Sequence, residues 1–337
     1  MRLATWNVAW FDRLFDDAGV MLHDEGDSAR HGITRAQQLD GIAVVMQALD
    51  ADGIVVVEAP DTGGKRSGVR ALEGFAARAG LRAREALIGF HSHTQQEIAF
   101  LHDPERIRAR HDPRESARAP RFDLKAGHAE TRISWSKPPL ELAIEAEGVA
   151  LRLIGVHAKS KAPHGAQNPG DLRRIAIENR RKQLAQCGWL RARVEDHLEA
   201  GDSLVVMGDF NDGPGLDAQE RLFGRSGVEI VLGEGEPPER RLHDPHAQLA
   251  LSQPIAAQPA TARFAVPPDW RILSALLDYA MVSPDLMGWA PRWRIWHPFD
   301  DPAIYADTEL REALLAASDH FPVTLDLDPT GNTPAAD

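Results

Sequence analysis

Apolar runs of strand length recur along the chain, and several of them end on a polar residue. Residues 2–8 alternate apolar and polar positions and predict a strand. From Thr34, a plausible N-cap, Ala36, Leu39, Ile42, Ala43, Met46 and Leu49 recur at helical spacing. Asp52-Gly53 then breaks the chain before Ile54–Val57, a continuous β-branched run typical of a strand buried on both faces. A second helix is expected over Val69–Ala79, and a long one from about Leu172 to Leu198. Further strands are expected at Ile98–His102, Leu140–Ile144, Leu151–Val156, Leu204–Met207, Leu277–Val282, Trp293–Trp296 and Val323–Leu327. Residues 12–32 read as a loop, and residues 104–130 as a polar, proline-bearing stretch. Residues 233–270 hold many prolines and no clear period, which predicts a long surface insertion. The tail Asp328–Asp337 is expected to be disordered. Periodicity alone supports one domain of mixed α and β structure.

Composition narrows the class only slightly. The 337 residues are 43% hydrophobic and 26% charged, ordinary for a globular protein. No stretch approaches the ~20 apolar residues of a membrane span. A core strand directly after Met1 leaves no room for a signal peptide, so a cytoplasmic location is expected. Cys187 is the single cysteine, which excludes an intramolecular disulfide, and its apolar helical surroundings predict a small buried side chain. The net charge of −12 argues against broad nonspecific nucleic-acid binding. Arg106, Arg108, Arg110, Arg114, Arg118, Arg121 and Lys125 nevertheless crowd one stretch, either as a solvated face or as a phosphate-binding one.

The chemistry sits at the strand ends. TWNV at Thr5–Val8, VVVEAP at Val55–Pro60, GVHAKSK at Gly155–Lys161, VMGDFND at Val206–Asp212 and SDHFPV at Ser318–Val323 each deliver an Asn, Glu, His or Asp where a buried strand stops. A carboxylate such as Glu58, placed directly after an apolar run, is costly to desolvate unless it is paired or bound to a cation. Asp209 and Asn211, two apart, point to the same side of an extended segment. Asp319 and His320, adjacent, point to opposite faces and serve different partners. No Walker A segment, GxSxG or HExxH is present, so nucleoside triphosphatase, serine hydrolase and zincin readings lack support. His91, His93 and His102 read as surface histidines, and most of the eight tryptophans as core or rim packing.

Taken in order, with LDYAMVS at Leu277–Ser283 as a sixth, these segments resemble the endonuclease/exonuclease/phosphatase superfamily, whose members include deoxyribonuclease-I-like nucleases. The resemblance covers roughly residues 1–327. It implies an α+β fold, a four-layer α/β sandwich of two packed mixed β-sheets flanked by helices. It implies a Mg²⁺-dependent phosphodiesterase, with Mn²⁺ as the substitute ion, acting on a phosphoester such as DNA or RNA. By the resemblance Glu58 is the principal metal ligand, Asn7 helps to hold the metal, and Asp319 faces the metal side. His157 contacts the scissile phosphate, with Glu97 as an expected carboxylate partner. Asp209 orients or deprotonates the attacking water, and Asn211 hydrogen-bonds the phosphoryl oxygen or the nucleophile. His320, oriented by Asp278, lies at the phosphate as a general base or a protonated ligand. Lys137 stands where the superfamily usually carries an Arg contacting phosphate, and Arg132 is the alternative contact. A phosphoinositide or sphingomyelin phosphohydrolase and a non-enzymatic binding module on the same scaffold are the alternative functions.

Overall fold

A computed structural model describes residues 1–92, 94–114, 119–126, 129–162, 165, 168–214, 220–252, 257–266 and 270–330, of which 121–126, 129–133, 169, 220 and 221 are described without their side chains. In chain order the elements are β1 (Arg2–Asn7), α1 (Arg35–Leu49), β2 (Gly53–Pro60), α2 (Gly68–Ala79), β3 (Glu85–Ile88), β4 (Gln96–His102), β5 (Ile107–His111), β6 (Arg121–Ala126), β7 (Ala129–Ser134), β8 (Leu140–Ala146) and β9 (Val149–His157). There follow α3 (Pro169–Glu199), β10 (Leu204–Asp209), α4 (Glu220–Phe223), α5 (Gly227–Leu232), α6 (Pro245–Ser252), β11 (Ala262–Val266), β12 (Arg271–Ala275), β13 (Asp278–Val282), β14 (Arg292–Ile295), α7 (Pro302–Ala306), α8 (Thr308–Ala317) and β15 (Val323–Asp326).

Two mixed sheets form, one in the order β14-β15-β1-β2-β4-β3 and the other β13-β10-β9-β8-β5, with hairpins β6-β7 and β11-β12 beside them. The run Ile54–Val57 is apolar throughout because both faces of its sheet are covered. Val55 and Val57 join Leu3, Phe100, Leu153, Val205 and Met207 between the sheets, while Ile54 and Val56 join Leu39, Ile42, Phe75 and Leu314 under α1, α2 and α8. On the far side Ile154, Val156, Leu204 and Val206 pack against Cys187, Leu190 and Val194 of α3. The order helix, sheet, sheet, helix is the four-layer sandwich. Local signals set the first helix as expected. Thr34 Oγ1 accepts the Gln37 amide N–H at 3.2 Å and Gln37 Oε1 accepts that of Thr34 at 2.9 Å, a reciprocal cap.

The strand directions explain where the functional side chains fall. β1 and β2 run parallel, as do β9 and β10, so Asn7, Glu58, His157 and Asp209 all lie at carboxyl ends of parallel pairs. β13 is antiparallel to β10, which sets Asp278 directly opposite Asp209. His320 lies three residues before the start of β15, which is antiparallel to β1.

Two regions differ from the sequence expectation. The stretch 104–130 contributes β5 and the hairpin β6-β7. In β5 Ile107 is buried while Arg108 and Arg110 are exposed, the alternation of an edge strand whose charged face hides it in a composition-weighted reading. The stretch 233–270 is more than a surface insertion. Within it, His243 bridges to Val282, the buried Asp244 carboxylate accepts the Ala280 N–H at 3.0 Å, and Thr261 is fully buried beneath β13. Proline-rich sequence without a period hid these contacts, because each joins residues far apart in the chain. Of the tail expected to be disordered, residues 331–337 lie outside the described chain.

β10 passes β9 unusually closely at Gly208. Its φ is +140°, and a Cβ there would stand 2.0 Å from the Val156 carbonyl oxygen. Gly208→Ala is therefore expected to destabilise the fold by roughly 3 kcal/mol, at the upper end of ordinary single substitutions. Urea unfolding checks this; an unchanged midpoint would mean the strands separate without penalty.

Candidate active site

The carboxyl ends of β1, β2, β9 and β10 converge with neighbouring loops and α3 on an open cavity of about 740 Å³. Asn7, Glu58, His157, Asp209, Asn211, His320 and Lys137 line it, together with Trp10, Gln96, Lys159 and Lys182. The structure thus brings together most of the residues singled out in the sequence. Asp278 stands behind His320 rather than on the cavity wall, and the Arg132 side chain lies outside the described residues.

Asp209 is the centre of the arrangement. Its carboxylate is buried, with Oδ2 accepting from Asn7 Nδ2 at 2.9 Å and from Asn211 Nδ2 at 3.0 Å, and Oδ1 from the Asn211 backbone N–H at 2.7 Å. His157 Nε2 is 3.7 Å from Oδ2. Burial pushes this acid up to about 7, further raised by Asp278 and countered by His320 and the two asparagines. Asn211 holds its position in a left-handed turn at φ +49°.

His320 and Asp278 form a buried pair, with Nδ1 2.8 Å from Oδ2. Burial opposes the imidazolium, but the Asp278 charge and hydrogen bond, aided by Asp209 and Asp319, hold it at about 10. The ring is therefore cationic at neutral pH, and Nδ1 donates to Asp278, leaving Nε2–H for the cavity. The pair is held by backbone contacts: Thr261 Oγ1 accepts the Asp278 N–H at 2.9 Å, Ser318 Oγ accepts that of His320 at 3.1 Å, and Trp6 Nε1 donates to the His320 carbonyl at 2.9 Å. Ser318 Oγ also donates to the Asn7 carbonyl at 2.8 Å, which ties the end of β1 to the histidine segment. His157 differs. Burial, then Lys137, His320 and Lys159, drive it well below the ordinary histidine value, so it is neutral. Its Nδ1 finds no partner among the described residues. Glu97, expected beside it, instead accepts the Ser92 N–H on both carboxylate oxygens at 3.0 Å, because β4 antiparallel to β2 directs it toward Ser92.

Glu58 sits at the register shift between Val57 and Ala59 in β2, with φ +62°. The bulge turns its side chain out of the pleat and into the cavity. Its Oε2 accepts from the Trp10 N–H at 2.9 Å and Gln96 Nε2 at 2.7 Å. Gln96 also reaches Asp12 Oδ1 at 3.3 Å, and burial lifts Asp12 to about 6, with Glu58 adding to the rise. The residues fit a divalent cation here. Because Asn7 Nδ2 faces Asp209, its Oδ1 is left buried with no donor among the described residues, and neutral oxygens beside carboxylates are the ligand set of a hard cation. Asp209, Asp278 and His320 also bring ligand-type atoms within 4.8 Å of one another. There, however, a cation would compete with the proton that the histidine holds against Asp278. Asp319, expected on the metal side, stands 3.5 Å from Arg30 and is not among the residues lining the cavity.

Several contributors were not evident in the sequence. Asp212, fully buried, accepts from Arg180 at 2.5 Å, Lys161 at 2.6 Å and the Gly227 N–H at 2.6 Å, and Gln183 donates to the Phe210 and Asn211 carbonyls. This cluster fixes the turn that carries Asn211. Its only sequence signal is the second acid of GDFND. Of the arginines on α3, Arg180 is buried in that ion pair and Arg174 pairs with Asp171 and Glu178, while Lys182 faces the cavity. In the basic stretch, Arg106 pairs with Asp52 and Glu147, Arg110 with Asp112 and Arg114 with Asp202, and none lines the cavity. Arg118, Arg121 and Lys125 lie outside the described side chains. His102, read as a surface residue, is buried and stacked on Phe100.

Because His320 titrates above the ordinary 6.5, the pair stabilises the fold fully below about pH 6.5 and loses that contribution as pH rises through about 10. In NMR the ring should remain protonated through pH 9. Asp278→Asn should bring its titration into or below the ordinary histidine range. A titration unmoved by that substitution would remove Asp278 as the source of the charge.

No protein-family model matches the chain, and no curated protein matches it in sequence. Solved structures do. A truncated TDP2 of Caenorhabditis elegans is 12% identical over 96% of this chain and 96% of its own, with a TM-score of 0.52. TDP2 of D. rerio, complexed with single strand DNA product, is 12% identical over 96% of this chain and 97% of its own, with a TM-score of 0.50. The chain therefore has the fold of these TDP2 structures, the two-sheet α/β sandwich that the ordered sequence segments imply.

Proposed function

We propose that this chain is a divalent-cation-dependent phosphodiesterase, nuclease-like in its substrate, that hydrolyses a phosphoester by direct attack of water. The observation that carries the reading is the buried Asp209 carboxylate, between neutral His157 and cationic His320, at the wall of an open cavity. An acid held near neutral pH is suited to take a proton from water, and Asn7 and Asn211 hold it in place. His320 donates its Nε2–H to a phosphoryl oxygen, and Lys137, Lys159 and Asn211 add positive charge or N–H groups to the same wall. His157 remains neutral and offers a hydrogen bond without competing for the proton. Glu58 and Asn7 would hold the cation, Mg²⁺ with Mn²⁺ as the substitute, and Asp319 contributes charge through His320. When bound, the ion polarises the phosphoryl oxygen and neutralises the leaving oxygen.

Two observations favour a polyanionic substrate. Lys137, Lys159 and Lys182 line one cavity, and the first two are each held below the ordinary lysine value chiefly by burial, opposed at Lys137 by Glu58 and Asp209 and reinforced at Lys159 by Lys182. Substrate phosphates would supply the counter-charge that burial denies these ammonium groups. The TDP2 of the same fold that was crystallised with a single strand DNA product lends the nucleic-acid form of this reading support. The lipid reading relied on an exposed apolar segment at 253–270. In its described part Thr261 and Ala262 are fully buried beneath β13, while Trp270 is exposed. A binding module without catalysis has no use for an acid held near 7 beside a buried, donorless amide oxygen.

A screen of the purified protein with Mg²⁺ or Mn²⁺ against plasmid DNA, single-stranded RNA, bis-p-nitrophenyl phosphate and inositol phosphates tests the proposal. Turnover of the diesters, abolished by EDTA, is expected; silence on every substrate with either ion would overturn it. Glu58→Gln should weaken the Mg²⁺ dependence while leaving the fold intact, read by metal titration of the rate and by thermal melting. His320→Ala should lower turnover by about 10²–10⁴-fold. Lys159→Glu with Lys182→Glu should raise KM on a polynucleotide and flatten its salt dependence, since each phosphate contact contributes a slope of roughly −0.7 to −0.9 in log salt. Equal salt dependence in the double variant would place the polynucleotide elsewhere.

A further inference from the structure

Trp10 stands out at the cavity because its backbone and its side chain ask for different residues. Its φ and ψ are +59° and +31°, the left-handed region that glycine enters freely and a bulky aromatic residue disfavours. The turn itself needs only the backbone: the Trp10 N–H donates to Glu58 Oε2 at 2.9 Å, and the next residue, Phe11, is buried and donates its N–H to the Val8 carbonyl at 3.0 Å. Glycine would satisfy both bonds without strain. The indole gains little from the interior, being 42% exposed on the cavity wall. A strained position that keeps a large, exposed aromatic side chain beside a candidate metal ligand points to a role for the ring.

The surroundings define what the ring meets. The Arg13 guanidinium lies 4.7 Å from the ring centroid and backs one face by a cation–π contact. In the same turn Ala9 and Phe11 are buried and Asp12 and Arg13 are charged, so no second exposed apolar side chain of that turn extends it into a patch. The cavity it borders carries Lys137, Lys159, Lys182 and His320. A flat π-surface beside a site for phosphate matches a nucleotide, whose planar base is joined through a sugar to the phosphate.

We propose that Trp10 is a specificity-determining residue that stacks on a nucleobase of the substrate. This rests on the phosphodiesterase reading and narrows it to nucleotide-containing esters. Base–aromatic stacking tolerates any base, because every base has a π-face, so the preference is for a base over none rather than for a sequence.

Calorimetry of the Mg²⁺-loaded protein with thymidine 5′-monophosphate and with 2-deoxyribose 5-phosphate tests it, since the two differ only in the base and neither contains a diester to be cleaved. The nucleotide should bind about tenfold or more tighter, the scale of one base–aromatic stack. Trp10→Ala should bring the two affinities together, and Trp10→Phe should retain most of the difference. Trp10→Gly should also abolish the preference while melting no lower than the wild type, which separates the stacking role from a folding one. Equal affinities in the wild type, or a preference that survives Trp10→Ala, would overturn the proposal. So would Trp10-dependent binding to phosphatidylcholine vesicles without a nucleotide preference, which would make the ring a membrane contact. A protein inactive on every diester yet showing the Trp10-dependent preference would lose the hydrolase reading and keep this one.

Discussion

The close passage of β10 between β9 and β13 is the constraint on which the rest of the structure depends. Parallel pairing with β9 sets Asp209 opposite His157, and antiparallel pairing with β13 sets it opposite Asp278. One row of three ionisable side chains follows from that double register. It is possible only because residue 208 has no Cβ to meet the Val156 carbonyl. Beyond Asp209 the chain turns at once, and the buried Asp212 cluster anchors that turn to α3 and to the start of α5. Site geometry and core packing are thus one construction: loosening the strand pair would move Asp209, Asn211 and His157 together, against Asn7 and His320 on the other sheet.

Charge placement in this row is set by burial and pairing rather than by residue type. Two histidines face the same cavity in opposite states, His157 neutral because burial and the cationic Lys137, His320 and Lys159 oppose its charge, and His320 cationic because Asp278 compensates its burial. Breaking one partner from such a buried pair leaves an uncompensated charge and is far more costly than the net worth of the pair. The backbone is also under local strain at the site. Trp10, Glu58 and Asn211 all adopt positive φ, and all three line the cavity. Asp50, Glu147, Trp270 and Ala290 share positive φ away from the site, but at Glu58 and Asn211 the conformation directs a polar side chain into the cavity.

An acidic protein that receives an anionic substrate must localise its positive charge. The net charge is −12, yet the cavity wall carries lysines while Arg106, Arg110 and Arg114 around β5 are matched to carboxylates outside it. The segment 233–270 contributes from behind. Through Thr261 and Asp244 it clamps the amides of Leu277, Asp278 and Ala280. It thereby holds the carboxylate that charges His320.

The sequence by itself determined the strand ends and what they carry. Short-range signals write these: an apolar run encodes a buried strand, and the polar residue that stops it is placed within one or two positions. Asn7, Glu58, His157, Asp209 and His320 were legible for that reason, as was the helix capped by Thr34. Tertiary structure alone decided which partners those residues found. Glu97 turned to the Ser92 amide instead of His157, Asp319 to Arg30, Arg180 to Asp212, and Lys182 rather than its arginine neighbours to the cavity. β5 and the buttress at 233–270 were hidden for the same reason. An edge strand with a charged face, and a segment whose short helix and strand are placed by long-range contacts, have no sustained local period to betray them. Protonation states belong wholly to this second class, because they depend on burial and on charges brought together from distant parts of the chain.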